Sequence, residues 1–324
     1  MPTTEEMQAH LAAIPNLTVL PQALLSRYTR FGIGGPADLY AETSSVEAFV
    51  AALEAAEASA IPTVVIGSGT NLIVSDEGFR GIVLRYRARG LESYGSCVHA
   101  DAGAELQELV DYTIARGLKG LETLAGIPGS VGAAVYGNAG AYGHAISERV
   151  AKVRFYDGAT VCAFSNQECR FQYRESIFKD HKEWIILSAE LSLEPADAAE
   201  LQRVAADIIT IRNQKFPVTM RCAGSIFKNL LLRDLPAEVA AAVPPGVVRE
   251  GKVAAAWFLE QVGAKGSERG QIHVAAYHAN LIYNAGGGTA ADLRALITDL
   301  KLRVAARFGI TLEEEVQYVG FPSA

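Results

Sequence analysis

The chain has 324 residues, enough for two domains or three small ones on a shared core, and half of them are hydrophobic, which excludes a disordered chain. Its 29 basic and 36 acidic residues leave a formal net charge of −7, which excludes a general nucleic-acid surface; any anionic ligand has to meet positive charge gathered locally. No apolar run approaches the roughly 18 residues of a membrane span. Residues 1–16 carry Glu5 and Glu6 where a secretory leader has a basic flank, so a cytoplasmic protein with no membrane insertion is expected.

Ser44 and Glu47 read as a capping box for a helix whose apolar face is Val46, Phe49, Val50 and Leu53. Residues 62–66 read as a short strand. The turn Gly67-Ser68-Gly69-Thr70-Asn71 follows, then strands at 72–74 and 81–85, so these glycines join strand to strand. Leu106, Leu109, Val110 and Thr113 mark an amphipathic helix stopped at Gly117. A glycine-rich segment fills 126–143. Asp157-Gly158, between apolar runs at 153–156 and 160–164, signals a hairpin. Helices are expected at 201–212, closed by Pro217, at 252–262, and at 289–308, with Thr289 and Asp292 as its cap and Gly309 as its stop. Cys97, Cys162, Cys169 and Cys222 suit neither a zinc ribbon nor a Cys-x-x-Cys pair, and buried free thiols are expected.

Several nucleotide motifs fail on inspection. Gly246-x-x-x-x-Gly251-Lys252 has Val253 where a P-loop needs Ser or Thr for magnesium, and Pro244-Pro245 spoils the preceding strand. Neither Gly67-Ser68-Gly69 nor Gly126-Ile127-Pro128-Gly129-Ser130-Val131-Gly132 has Rossmann spacing between a strand and a helix. The same glycines still suit pyrophosphate, because successive backbone N–H groups in a tight turn make an anion-binding nest. Two such loops, with Asn71, Ser130, Asn138 and Tyr142 as polar side chains, are placed to grip one extended dinucleotide. His273 and His278 are not at helical zinc spacing, so no metal is expected. In the run Glu313-Glu314-Glu315, an extended backbone would turn Glu314 away from its two neighbours.

Taken together, FGIGGPADLY (31–40), IGSGTNLIVSDEGFRGIVLR (66–85), LAGIPGSVGAAVYGNAGAYG (124–143), YRESIFK (173–179), AGSIFKN (223–229), AAWFLEQVGAKG (255–266), YHANLIYN (277–284) and ITLEEEVQYVG (310–320) resemble the UDP-N-acetylenolpyruvoylglucosamine reductase family, also called UDP-N-acetylmuramate dehydrogenases. The chain departs from the usual pattern at Thr70, Ala133 and Glu314, where Ser, Gly and Pro are commoner. No extra substrate-clamping tyrosine loop is found between Tyr173 and Arg212, so the chain resembles the form that lacks it. The resemblance implies an α+β chain with an FAD-binding fold of the vanillyl-alcohol-oxidase type. Two α+β subdomains (18–85 and 86–213) would precede a C-terminal α+β substrate domain (214–312), and a final segment (313–324) would return to the active site.

The resemblance also implies a reaction. NADPH reduces non-covalently bound FAD, which passes hydride to the enolpyruvyl ether of UDP-N-acetylglucosamine to give UDP-N-acetylmuramate for peptidoglycan. Cofactor contacts are expected from Gly67, Ser68, Gly69, Thr70, Asn71, Gly126, Pro128, Gly129, Ser130, Gly132, Asn138, Tyr142 and Arg212. Substrate contacts are expected from Tyr173, Lys215, Lys228, Asn229, Lys265 and His278. Ser225 would protonate the carbon next to the carboxylate; a weak acid suffices because a carbanionic intermediate is strongly basic. Arg174 offers a planar charged fork to the carboxylate. Glu315 would serve as a protonated donor or relay, since an ionised carboxylate there would be repulsive. An FAD oxidase and a catalytically idle UDP-sugar binder are the competing readings.

Overall fold

The computed structural model describes residues 3–322. The chain forms two compact units: unit 1 comprises Met1–Ala23, Ala37–Gly69 and Phe79–Gln214, and unit 2 comprises Leu24–Pro36, Thr70–Gly78 and Lys215–Ala324.

Unit 1 holds two sheets. The first runs in the order Thr18–Leu24, Pro36–Thr43, Phe79–Tyr86, Thr63–Ile66. Phe79–Tyr86 pairs in parallel with both neighbours, and its Ile82, Val83 and Leu84 are all fully buried. Such a continuous apolar run is what a parallel strand covered on both faces requires. Helix Val46–Ser59 crosses between two of these strands and buries Phe49 on their face. Its cap is Ser45, not the expected Ser44: Ser45 Oγ accepts from Ala48 N–H at 3.2 Å, while the Ser45 hydroxyl donates to Glu47 Oε2 at 2.7 Å. The second sheet is antiparallel, in the order Val161–Ser165, Val150–Tyr156, Ile185–Ser192, Cys97–Asp101, Leu91–Tyr94. The Asp157-Gly158 hairpin forms as expected, with Gly158 at φ 100° and Asp157 Oδ1 accepting from the N–H of Ala159 and Thr160. The expected 201–212 helix is longer, spanning Ala198–Lys215.

Unit 2 packs helix Ala290–Phe308 and helix Ala255–Gln261 with an antiparallel sheet ordered Cys222–Ser225, Leu281–Asn284, Ile272–Val274, Glu268–Arg269. The long helix buries Leu293, Leu296, Ile297, Leu300 and Val304, one apolar stripe at helical spacing. Thr289 caps it and Gly309 ends it at φ 65°. The expected 252–262 helix is shorter. Lys252–Val253 pairs as a strand with Leu230–Leu231 and Val248–Arg249, and these ladder bonds hold the backbone extended until Ala255. The glutamate run is extended, with an isolated bridge between Glu314 and Phe227; regular pairing begins at Gln317–Val319, parallel to Leu72–Val74.

All four cysteines are free. Cys169 and Cys222 are buried, but Cys97 and Cys162 are only half-buried, because both lie on strands near sheet edges. Among the described residues no helix is long and apolar enough to cross a membrane, and no three His, Cys, Asp or Glu side chains gather as a metal site.

Candidate active site

In unit 1 the two glycine segments lie against each other. A Cβ on Gly67 would stand 2.7 Å from Ser130 Oγ, so a side chain there would push that hydroxyl aside. Ser68 Oγ donates to Glu105 at 2.7 Å. Gly69 and Gly129 take φ 69° and 127°. Gly126, at φ 75°, has the Arg212 Cδ 3.1 Å from its would-be Cβ, and its N–H donates to Gln107 Oε1 at 2.7 Å. Ser130 caps helix Val131–Tyr136. The N–H groups of Val131 and Gly132 donate to Ala104 O and Ala102 O at 2.8 and 2.9 Å, so the first amides of that short helix serve the fold. Two backbone segments stripped of side-chain bulk, with an arginine laid across one of them, fit an extended dinucleotide whose phosphates approach the backbone closely.

Farther along, Asn138 is buried at φ 42°. Its Nδ2 donates to Gln172 O at 2.8 Å and its Oδ1 accepts from Ser147 N–H at 3.3 Å, so the carboxamide braces the glycine segment. Pro128 and Tyr142 are exposed. Gln172 and Glu175 exchange both backbone hydrogen bonds, at 3.0 and 3.1 Å, which puts Tyr173 and Arg174 at the tip of a tight turn. Arg174 sits at φ 59°, a conformation that strains a non-glycine residue by about 1 kcal/mol or more. Its Nη2 donates to Gly140 O at 3.0 Å, and its guanidinium carbon lies 5.4 Å from the Tyr173 ring centre. The backbone thus holds this arginine as a positioned cation.

In unit 2, Ser225 closes the strand Cys222–Ser225 and pairs with Leu281. The register slips between Cys222 and Ser225, and Gly224 takes φ 74°, a bulge that re-aims the residue after it. The next residues lie between two partners. Ile226 O accepts from Glu315 N–H at 2.8 Å, and Lys228 N–H donates to Glu313 O at 2.9 Å. Asn71 Nδ2 in turn donates to Glu315 O at 2.9 Å, and Asn71 O accepts from Gln317 N–H at 2.9 Å. Ser225, Glu315 and Asn71, far apart in sequence, are therefore joined through short backbone links. The three carboxylates diverge: Glu313 pairs with Lys228, and Glu314 takes Lys301 at 2.6 Å and the Tyr318 hydroxyl. Glu315 is held by its backbone on both sides.

The remaining expected substrate contacts also lie in unit 2. Lys265 pairs with Glu260 at 2.8 Å. It stands beyond the end of helix Ala255–Gln261 rather than on it. Asn229 Oδ1 accepts from Ala255 N–H, at the start of that helix, at 3.2 Å. Lys215 Nζ is 5.3 Å from the Phe216 ring centre, and Thr70 is half-buried. His278 is pushed down to about 4 by burial and then by the Lys215 charge, so the ring is neutral at pH 7. Its Nδ1 accepts from Asn280 N–H at 3.2 Å, which leaves the proton on Nε2.

Three polar residues in these regions are absent from the sequence reading: Glu105, Gln107 and Asn280. Asn280 had a visible signal, a lone carboxamide within the otherwise apolar stretch 279–283. Glu105 and Gln107 open an ordinary amphipathic helix and carry no such mark.

Residues 37–160 match the family described as FAD binding domain. Residues 216–319 match UDP-N-acetylenolpyruvoylglucosamine reductase, C-terminal domain. The chain is 64% identical over 310 residues to a UDP-N-acetylenolpyruvoylglucosamine reductase of Solibacter usitatus, covering 96% of this chain and 99% of that one. It is 38% identical over 300 residues to that of Rubrobacter xylanophilus, covering 92% and 94%. The crystal structure of the same reductase from Thermus caldophilus superposes with a TM-score of 0.72 at 28% identity, over 94% of this chain and 98% of that one. The architecture is an FAD-binding domain followed by the C-terminal domain of this reductase family. By sequence over nearly its whole length and by fold, the chain belongs to the UDP-N-acetylenolpyruvoylglucosamine reductase family, an FAD-containing oxidoreductase of peptidoglycan synthesis.

Proposed function

We propose that the enzyme uses NADPH to reduce the enolpyruvyl ether of UDP-N-acetylglucosamine to UDP-N-acetylmuramate, in the cytoplasm. FAD, when bound, would supply the two-electron chemistry that links the nicotinamide to the substrate's methylene carbon, and the glycine segments 67–71 and 126–143 with Arg212 would hold it. Residues 18–85 and 86–213 serve the flavin; 214–312 and 313–324 serve the substrate.

The chain's own part is orientation, charge stabilisation and one proton. Arg174 meets the substrate carboxylate with a charged fork, held in place by its turn and by Gly140 O. Glu315 addresses the carbon where charge develops, and Ser225 Oγ delivers a proton to that carbon. Lys215, Lys228, Lys265 and Asn229 meet the nucleotide sugar, with neutral His278 as a directional donor and Tyr173 beside the arginine. The observation that supports this reading is the 2.8 Å bond from Glu315 N–H to Ile226 O, which ties Glu315 to the residue directly after Ser225.

Ser225→Ala tests it. Flavin reduction by NADPH should stay near the parent rate, because Ser225 acts only after hydride has left the flavin. Reoxidation by the enolpyruvyl substrate should fall by about 100- to 10,000-fold. Stopped-flow absorbance of the flavin follows both half-reactions; equal slowing of the two would make Ser225 structural.

A further inference from the structure

Asn280 makes an unusual set of bonds for a residue outside the expected chemistry. It is 2% exposed, between strand Leu281–Asn284 and the His278 turn. Its Nδ2 donates to Phe227 O and its Oδ1 accepts from Phe227 N–H, each at 2.9 Å. Its backbone carbonyl accepts from Ile226 N–H at 3.1 Å. One side chain thus satisfies both backbone groups of Phe227, as a neighbouring strand would, just where the regular ladder stops at Ser225–Leu281. Only one orientation of the carboxamide makes both bonds, so oxygen and nitrogen are fixed by the network.

The opposite edge of the same backbone belongs to Glu315. Ile226 gives its N–H to Asn280 and accepts Glu315 N–H on its carbonyl. Ile226 and Phe227 are 0% and 1% exposed, so water does not replace a lost partner there. Through its own N–H, Asn280 also fixes the His278 ring. Asn280 therefore stands behind Ser225 in two ways: its carboxamide holds Phe227, and its backbone holds Ile226 and the His278 ring.

We propose that Asn280 is a positioning residue: it locks the backbone after Ser225 so that the hydroxyl and Glu315 keep one fixed relation during protonation. The proposal rests on the assigned role of Ser225. Small displacements of reacting groups are costly, since about 1 Å of misplacement is enough for roughly a 100-fold loss of rate. A positioning role therefore predicts a kinetic loss confined to the step that Ser225 serves.

The test compares Asn280→Asp, Asn280→Leu and Ser225→Ala as holoenzymes. Asn280→Asp keeps the acceptor toward Phe227 N–H and loses the donor toward Phe227 O. Asn280→Leu keeps the approximate size and loses both. Flavin spectrum and NADPH reduction should match the parent, while reoxidation by the enolpyruvyl substrate falls by roughly 10- to 100-fold in each Asn280 variant. In Asn280→Asp the loss should shrink as pH is lowered, because the protonated carboxyl regains a donor. Reoxidation within about twofold of the parent, or equal slowing of both half-reactions, would overturn the proposal. So would a profile in Asn280→Asp that does not recover at low pH. Should the variants not fold, hydrogen exchange at the Phe227 amide of the parent holoenzyme decides: slow exchange supports the lock and fast exchange overturns it. A Ser225→Ala enzyme that reoxidises at the parent rate would instead remove the reading on which the proposal depends, leaving the exchange result to report on the lock alone.

Discussion

Three adjacent glutamates illustrate how differently neighbours are used. Glu313 is exposed and pairs with Lys228, Glu314 is largely buried with Lys301 and Tyr318, and Glu315 is tied through its backbone to Ile226 and Asn71. Burial and the Glu314 carboxylate together push the Tyr318 phenol well above its ordinary range. Glu315→Gln should slow flavin reoxidation by about 100- to 1,000-fold, the range for removing one preorganised group, and Glu315→Ala should slow it further because glutamine still donates. Glu313→Gln should leave the rate nearly unchanged. Glu314→Gln should instead lower stability by about 1–2 kcal/mol, read by thermal denaturation, since it leaves Lys301 with a lost partner. Equal small kinetic effects at all three positions would remove Glu315 from the chemistry. His278 gives a pH signature. The folded chain holds it neutral down to about 4, whereas the unfolded chain takes up a proton below the ordinary value of 6.5. The unfolded state then binds more protons, so stability falls as pH drops from 6.5 to about 4 and levels off below. His278→Gln should flatten that slope in urea titrations at stepped pH; an unchanged slope would assign it to other groups.

Helix Ala290–Phe308 is anchored at its start by a residue from far up the chain. Asp76 Oδ1 and Oδ2 accept from the N–H groups of Ala290 and Ala291 at 2.8 and 2.9 Å, beside the local Thr289 cap. Asp76→Ala should therefore cost about 1–2 kcal/mol and lower the melting temperature with flavin reduction unaffected, while a melting temperature equal to the parent's would mean that Thr289 alone suffices. The contrast between these two caps shows what the sequence carries. Thr289, Gly309 and the apolar stripe are local, so the helix was legible to within a residue; the Asp157-Gly158 turn was legible too, although its first strand starts at Val150 rather than 153. Asp76 is not legible as a cap, because its partners lie 214 residues away. The two-residue strand Lys252–Val253 was missed for the same reason, since its partners at 230–231 and 248–249 override a stretch that reads as helical by periodicity.

Across the whole chain, the resemblance carried the family and the fold, because motif order survives where single motifs are ambiguous. The site was less legible. Glycines mark both loops, and Gly67 does lie against Ser130. Nothing in the spacing says that Asn138 gives its carboxamide to Gln172 and Ser147, or that Asn280 replaces a strand. Such roles follow from which backbone groups the fold leaves to be satisfied, and that is known only once the elements have met.

The parallel pair of Leu72–Val74 with Gln317–Val319 sets a clock on biosynthesis. Asn71 leaves the ribosome with Glu315, 244 residues downstream, still to be translated, an interval on the order of 10–50 s. Until then the second half of the first glycine loop lacks its ladder, and the segments of unit 2 embedded early in the chain have no core to join. A nascent chain therefore has no complete unit 2 until Gln317–Val319 has emerged, and a chain cut short before Gln317 would lack the strand that completes the pair.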